Sequence, residues 1–334
     1  MKRIVIYRLG SLGDTVVALP CFNRIVSTFP DYRRIVLTNV PVSSNAAPMG
    51  AVLGDMIDEV IAYPVGTRDP RKLLGIIATL RALQPAQLVY LMPSRGLPVV
   101  VRDAAFFRLC GFKEILGLPL SRDLINNRVD PATGLMEREC QRLARCLSEL
   151  GPIDPSDPAQ WHLHLTAEEV GVAREMLAPF AGRPFIAINM GGKQIQNDWG
   201  TGNWSRLLAA TAARWPDHGL LIVGSAEDTE RGRSLTADLP CPVIDACGTL
   251  TPRQSAAALR EARLFVGHDS GPMHLASAVG TSCVGLFGNL NPPGKWHPLI
   301  GNNRLIHDMR GVQAIAVETV TQAIDDIMMH DGSE

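Results

Sequence analysis

The chain has 334 residues, 46% of them hydrophobic and 19% charged, with a formal net charge of −1, which suits a soluble globular protein of one large or two medium domains. No apolar run approaches the roughly 20 residues of a membrane-spanning helix, and seven cysteines without a C-x-x-C pair fit neither a disulfide framework nor a zinc site. The net charge hides an asymmetry: residues 1–150 hold 19 Lys+Arg against 13 Asp+Glu, and residues 151–334 hold 13 against 20, so the halves carry +6 and −7. A basic first half points to an anionic partner such as an acidic small molecule or a membrane surface, with chance drift of surface charge as the rival. The basic residues are scattered and lack aromatic companions, which argues against nucleic acid.

In chain order, Arg3–Tyr7 reads as a buried strand. Its apolar stretch is too short for a signal peptide, so a cytoplasmic location is expected. A Gly-rich turn follows, then one helix over Thr15–Phe29 and a strand over Arg34–Thr38. Strands Ile57–Ala62 and Leu88–Leu91 flank a helix at Arg71–Leu83; a helix over Leu97–Cys110, a strand near Glu114–Leu116 and a helix near Glu137–Leu150 come next. Gly151–Pro158 holds three prolines in eight residues and is the candidate linker.

After a helix at Ala167–Phe180 the alternation resumes. Strands are expected at Phe185–Asn189, Leu220–Val223, Val243–Asp245, Leu264–Val266 and Ser282–Phe287. Helices are expected at Trp204–Trp215, Asp228–Leu239, Arg253–Glu261, Pro272–Val279 and Val317–Met329. Apolar strands alternating with helices indicate α/β architecture with parallel sheets covered on both faces. The drawing that results has two doubly wound, Rossmann-like domains, 1–155 and 156–334, facing a cleft, with the last helix free to pack back on the first domain.

Ligands of open α/β sheets bind beyond the carboxyl ends of strands, where this chain places its glycine-rich turns. The turn Gly10-Ser11-Leu12-Gly13-Asp14 lacks the lysine of a P-loop and the G-x-G-x-x-G pattern. Asp14 fits two roles there: capping the helix, or acting as a general base toward a hydroxyl in the cleft. Asn189–Trp199 is long, polar and Gly-containing, and could hold a diphosphate through backbone N–H groups and Lys193, which reads equally well as a surface lysine. Ser225 and Glu227, in Gly224–Asp228, could bond ribose hydroxyls or cap a helix. Gly267-His268-Asp269-Ser270-Gly271-Pro272 leads from a strand into a helix whose free N–H groups suit an anion. His268 and His274 with Asp269 do not have metal-site spacing; His274 suits hydrogen bonding near a phosphate, or a satisfied place in the core.

Taken together, Arg8-x-Gly-Ser-Leu-Gly-Asp14, Asn197-Asp-Trp-Gly-x-x-Asn-Trp204 and Gly267-His-Asp-Ser-Gly-Pro-Met-His-Leu-Ala-Ser-Ala278, continuing to Val284–Gly288, resemble glycosyltransferase family 9, the heptosyltransferases of the lipopolysaccharide inner core. The likeness spans nearly the whole chain. It implies a GT-B fold with an N-terminal acceptor domain and a C-terminal domain for a nucleotide-sugar, usually ADP-heptose. It implies inverting transfer with no metal or other cofactor, Asp14 as base, and Asp269, Ser270, Gly271 and His274 in the diphosphate and sugar motif. Lys193, Ser225 and Glu227 complete the expected donor contacts.

The expected acceptor is an anionic glycolipid at the inner membrane face, met by Arg8, Ser11 and Arg95, with Arg68 and Arg102 as further candidates. One departure stands out. Some family members carry lysine just before the Trp of the middle segment, where this chain has Asn197-Asp198; Lys193, helped by Lys295, is expected to supply that charge. The rival readings are a nucleotide-sugar epimerase of the same architecture, which would convert the donor alone, and a non-catalytic nucleotide-sugar binder.

Overall fold

The computed structural model describes residues 2–40, 48–67, 69–84, 86–192 and 195–330. They form two units, Met1–His164 and Leu165–Glu334. The first contains β1 (Arg3–Tyr7), α1 (Leu12–Val17), α2 (Leu19–Thr28), β2 (Arg33–Val40), α3 (Gly50–Leu53), β3 (Glu59–Pro64), α4 (Pro70–Ala82), β4 (Ala86–Tyr90), α5 (Leu97–Leu109), β5 (Ile115–Leu116), α6 (Arg122–Ile125) and α7 (Glu139–Cys146). Its sheet runs in the order β3-β2-β1-β4-β5 with every pairing parallel. The central strand β1 is buried on both faces, which is why it reads as an unbroken apolar run, whereas the edge strand β3 is exposed at alternate positions. Val5, Leu37, Leu88, Phe107 and Phe112 fill one face of the core.

The second unit contains α8 (Ala167–Leu177), β6 (Phe185–Asn189), α9 (Thr201–Arg214), β7 (Gly219–Ile222), α10 (Thr229–Thr236), β8 (Val243–Asp245), α11 (Pro252–Arg260), β9 (Leu264–His268), α12 (Gly271–Ala278), β10 (Cys283–Phe287), β11 (Arg304–His307) and α13 (Val317–His330). Its sheet order is β11-β10-β9-β6-β7-β8, again all parallel. Both units are doubly wound. In the first, the chain steps outward through β2 and β3, then returns to lay β4 on the other side of β1; in the second, it returns to lay β9 on the other side of β6. These reversals create a topological switch point between β1 and β4 and another between β6 and β9, where the loops leaving neighbouring strands diverge and leave a crevice.

Three expectations change. The helix drawn over Thr15–Phe29 is two helices that meet at Ala18, with Pro20 in the first turn of the second, a position where the missing N–H costs nothing. Strand β11 has no counterpart in the sequence reading, because its four half-buried residues, Arg-Leu-Ile-His, carry neither an alternating nor a continuous apolar pattern. The first unit also runs beyond Pro158: a short 3₁₀ turn, Pro158–Trp161, packs on α2, and Asn23 Nδ2 donates to the carbonyls of Gln160 and His162 at 3.0 Å each. Helix α13 contributes Val320, Ile324 and Ile327 to the core of the second unit, alongside Trp199 and Trp204. All seven cysteines are buried and unpaired.

Candidate active site

In the first unit, the loop leaving β1 turns through Gly10 at φ +132°, and a Cβ there would lie 2.5 Å from the Asp14 Cβ and 2.7 Å from its Oδ2. Glycine is required so that the carboxylate can fold back beneath the turn. Oδ2 accepts from the Ser11 backbone N–H at 2.8 Å and from the Ser11 hydroxyl at 3.0 Å. No partner among the described residues reaches Oδ1 of this half-buried side chain. One oxygen is anchored, and the other is left open.

The same geometry recurs in the second unit. Asp228 Oδ2 accepts from Ser225 N–H at 2.7 Å and from its hydroxyl at 2.8 Å, and a Cβ on Gly224 would lie 2.7 Å from that oxygen. Gly-Ser-x-x-Asp is therefore a local device for closing a helix start, and the hydrogen bonds at Asp14 do not by themselves mark a base. Position does. The Asp14 loop leaves β1, which borders a switch point, whereas the Ser225 loop leaves β7, one strand away from one. The Ser11 and Ser225 hydroxyls both donate to their own carboxylates rather than standing free for a ligand. Glu227 lies exposed in the turn beside Ser225.

Across the first switch point, the loop from β4 carries Arg95, half-buried and without a hydrogen bond or ion pair among the described residues. Around it stands a group that sequence reasoning missed. The Tyr7 and Tyr63 hydroxyls are 3.1 Å apart, and Tyr90 donates to Asp103 Oδ2 at 2.9 Å. Arg102 grips the other Asp103 oxygen at 2.7 and 3.1 Å. Burial pushes the Tyr7, Tyr63 and Tyr90 phenols up, while Arg95 pulls against that shift. Arg102 is thus compensated by Asp103 and Arg95 is not. The missed signal was there: three of the four tyrosines lie within one residue of the end of an expected strand.

Arg8 requires a correction. A direct acceptor contact was expected, but its side chain is fully buried; Nη1 donates to Leu91 O at 3.0 Å and Nη2 to Asp14 O. Arg68 lies outside the described residues.

In the second unit, Asn189 at the end of β6 spans its switch point, accepting from the Ser270 hydroxyl at 2.9 Å and donating to Val223 O at 2.8 Å. Because the Ser270 side chain turns to Asn189, no side chain caps α12. The Gly271 and Met273 N–H groups at the positive end of the helix are left without a side-chain cap, an arrangement that suits an anion, and Pro272 has no N–H to lose. Asp269 and His274 approach at 3.6 Å; Asp269 Oδ2 accepts from Asn291 Nδ2 at 3.2 Å, and Asn291 Oδ1 accepts from the Trp296 indole at 3.2 Å. The Lys295 ammonium lies 5.4 Å from the Trp296 ring centre, an attractive cation–π geometry that brings a cation near the motif.

Lys193 lies outside the described residues. Asp198, standing where some family members carry lysine, is gripped by both Arg231 terminal nitrogens at 2.9 Å. Burial works against its charge, but the bonds from Arg231 and Gly200 hold this carboxyl below the usual carboxylate range. Arg231, from α10, was another residue missed in the sequence.

His268 is structural. It is fully buried, and its Nε2 accepts the Trp199 backbone N–H at 3.1 Å, which requires the neutral ring. Burial lowers it to about 4, against about 6.5 in an unfolded chain. Between those values the unfolded chain binds a proton that the folded one refuses, so stability is full above pH ~6.5 and falls as pH drops toward 4. Urea midpoints measured from pH 7.5 to 4 should decline in that window, and less steeply for His268→Gln. His218 and His307, also lowered by burial, leave a residual slope in the variant.

Among the described residues, no group of three His, Cys, Asp or Glu side chains is placed to hold a metal ion, and no helix is long and apolar enough to cross a membrane.

A model of glycosyltransferase family 9 (heptosyltransferase) matches residues 124–318, more than half of the chain. Lipopolysaccharide heptosyltransferase 3 of Escherichia coli is 28% identical over 116 residues, which span 34% of this chain and only 34% of that relative. A solved glycosyl transferase family 9 protein from Veillonella parvula superposes with TM-score 0.75 at 19% identity, covering 98% of both chains. The E. coli heptosyltransferase WaaC, solved with ADP, superposes with TM-score 0.64 at 16% identity, covering 97% of this chain and 99% of that one. At these identities, the structural likeness is one of fold.

Proposed function

Because the chain belongs to glycosyltransferase family 9, the heptosyltransferase family, and has a GT-B type fold, we propose that it transfers a heptose or related sugar from a nucleotide-sugar to an anionic glycolipid acceptor of the lipopolysaccharide-core type. ADP-heptose is the first candidate donor; the E. coli relative solved with ADP supports the choice of base. The transfer inverts the anomeric centre and uses no metal. The observation that carries the reading is Asp14, whose Oδ2 is anchored while its Oδ1 stands open beside a switch point.

In this mechanism the acceptor hydroxyl gives its proton to Asp14 Oδ1 as its oxygen attacks the anomeric carbon. The bond from that carbon to the diphosphate breaks on the opposite face, and its electron pair leaves with the nucleoside diphosphate. The charge that grows there is met by the Gly271 and Met273 N–H groups and the positive end of α12, dipoles already oriented before reaction. Asp269 and His274 bond sugar hydroxyls or shape the loop, while Ser270 holds the turn through Asn189. Lys193 supplies donor-side charge, and Ser225 and Glu227 border the donor's ribose. Arg95, uncompensated among phenols, contacts an anionic group of the acceptor. The acceptor's lipid places the enzyme at the inner membrane face, which the +6 balance of residues 1–150 favours.

A thermal-shift panel of nucleotide-sugars tests the donor. At a hundred times its dissociation constant, a ligand that binds only the folded state adds about 2.7 kcal/mol of stability. ADP-heptose should raise the melting temperature, and nucleoside diphosphate should be released only when a heptose-deficient lipopolysaccharide core is also present. Conversion of the donor without acceptor would identify an epimerase instead, and no shift with any nucleotide-sugar would remove the reading's support.

A further inference from the structure

We propose that Arg8, backed by the buried Glu139–Arg142 pair, is a positioning residue that sets Asp14 and the loop after β4 in register across the first unit's switch point. The inference rests on the reading of Asp14 as the base. Arg8 is 0% exposed and, through its backbone N–H and its side chain, ties together three pieces of backbone. Its own N–H donates to Leu37 O on β2 at 3.1 Å, Nη1 holds Leu91 O beyond β4 at 3.0 Å, and Nη2 holds the carbonyl of Asp14 itself. Its Nε is buried without a partner among the described residues.

A second layer grips the same loop from α7. Arg142 Nη2 donates to Met92 O at 2.7 Å, and Glu139 Oε1 accepts the Ser94 N–H at 3.3 Å. The two residues also bond each other at 2.6 Å with neither side chain exposed. Asn127 Nδ2 completes the Glu139 carboxylate at 3.0 Å. Two guanidiniums and one carboxylate thereby hold Leu91, Met92 and Ser94, the approach to Arg95, and among the described residues it is the Arg8 side chain that hydrogen-bonds both Leu91 and Asp14.

Burying such charges is a poor way to stabilise a fold, since well-packed apolar side chains usually do as well or better. What a buried fork of donors provides is geometry: two carbonyls, one on α1 and one on the loop after β4, held at fixed directions by one rigid plane. A base and the groups that present its substrate need that kind of fixing, because small misplacements lose large factors in rate. Arg8 touches no reacting atom; it acts through Asp14.

Arg8→Lys keeps the charge but loses the fork. With ADP-heptose and the heptose-deficient core, it should lower kcat about 10- to 100-fold while leaving the KM for ADP-heptose within about twofold. In an Asp14→Asn background the same change should cost almost nothing further, because the residue it positions has gone. Equal losses in both backgrounds would overturn the proposal, as would wild-type kcat in Arg8→Lys. If Asp14→Asn keeps wild-type turnover, the base reading fails by itself.

Amide hydrogen exchange gives a readout independent of turnover. Arg8→Lys should speed exchange in residues 10–16 and 91–96 while β1 and β4 stay protected; uniform loosening of the unit would mean a merely structural role. Should Arg8→Lys not fold, Arg142→Lys tests the same support from α7. Faster exchange confined to 91–96 with a lowered kcat sustains the proposal, and unchanged exchange and kcat overturn it.

Discussion

Replacing Asp14 with Asn should reduce turnover about 10²- to 10⁴-fold, the usual contribution of a positioned general base, while leaving donor affinity and melting temperature nearly unchanged. The substitution separates the two roles that Asp14 can fill. An asparagine carbonyl oxygen can still accept from the Ser11 N–H and hydroxyl, as Oδ2 does at 2.8 and 3.0 Å, so the start of α1 stays closed. What disappears is a basic oxygen at the Oδ1 position. Asp228→Asn is the internal control, because it makes the same chemical change in the same Gly-Ser-x-x-Asp turn away from a switch point. Its effect should stay within the roughly 0.5–2 kcal/mol of a helix-start interaction, with turnover within a few-fold of wild type. Comparable losses of turnover in both variants would mean that helix closure explains Asp14, and the base would have to be sought elsewhere.

Glu139→Gln should lower the unfolding free energy by about 3–5 kcal/mol, because it leaves a fully buried guanidinium without its counter-charge. Burial works against the charge of Arg142, yet the hydrogen bonds and charge of Glu139 outweigh it and raise this guanidinium above its ordinary range. Neutralising the carboxylate removes that compensation and weakens the acceptor of Ser94 N–H at 3.3 Å. The urea midpoint should fall with the slope of the transition unchanged, which marks a loss of stability rather than a more compact denatured state. A loss under about 1 kcal/mol would show that the carbonyls of Met92 and Leu124, at 2.7 and 2.9 Å, satisfy Arg142 without a carboxylate.

Most of the fold was legible because its strongest signals are local. Strands β1, β6, β9 and β10 lie inside their sheets and are buried on both faces, so they appear as short unbroken apolar runs. Edge strand β11 gave no such run. Its Leu305 and Ile306 are buried only in part, beside β10 and α13, and that shelter is supplied by residues elsewhere in the chain. The break between α1 and α2 was hidden because the apolar spacing continues through Ala18, and Pro20 suits the start of a helix as well as it spoils the middle of one.

The candidate site divides the same way. Gly10, Ser11 and Asp14, and likewise Asp269, Ser270, Gly271 and His274, were visible because each group is one turn joining one strand to one helix. Arg8 was misread for the opposite reason: arginine is ordinarily a surface residue, and nothing near it in the chain announces that Leu91 O will lie 3.0 Å from its guanidinium. The cluster of Tyr7, Tyr63, Tyr90 and Asp103 is assembled from three strands and a helix, and the Asp198–Arg231 pair bridges 33 residues.

By itself, then, the sequence determined the alternation of strands and helices, the two glycine-rich turns, and the family resemblance those turns carry, because periodicity and turn chemistry depend on neighbours a few residues apart. Tertiary structure alone decided the strand order that places a switch point beside β1 and another beside β6. It also decided that Asp198 compensates Arg231 from 33 residues away, that Arg95 is left open, and that Arg8 turns inward to hold the carbonyl of Asp14. The physical reason is that a charge is satisfied by whatever the packing of distant segments brings within about 3–4 Å, and chain order does not encode that distance.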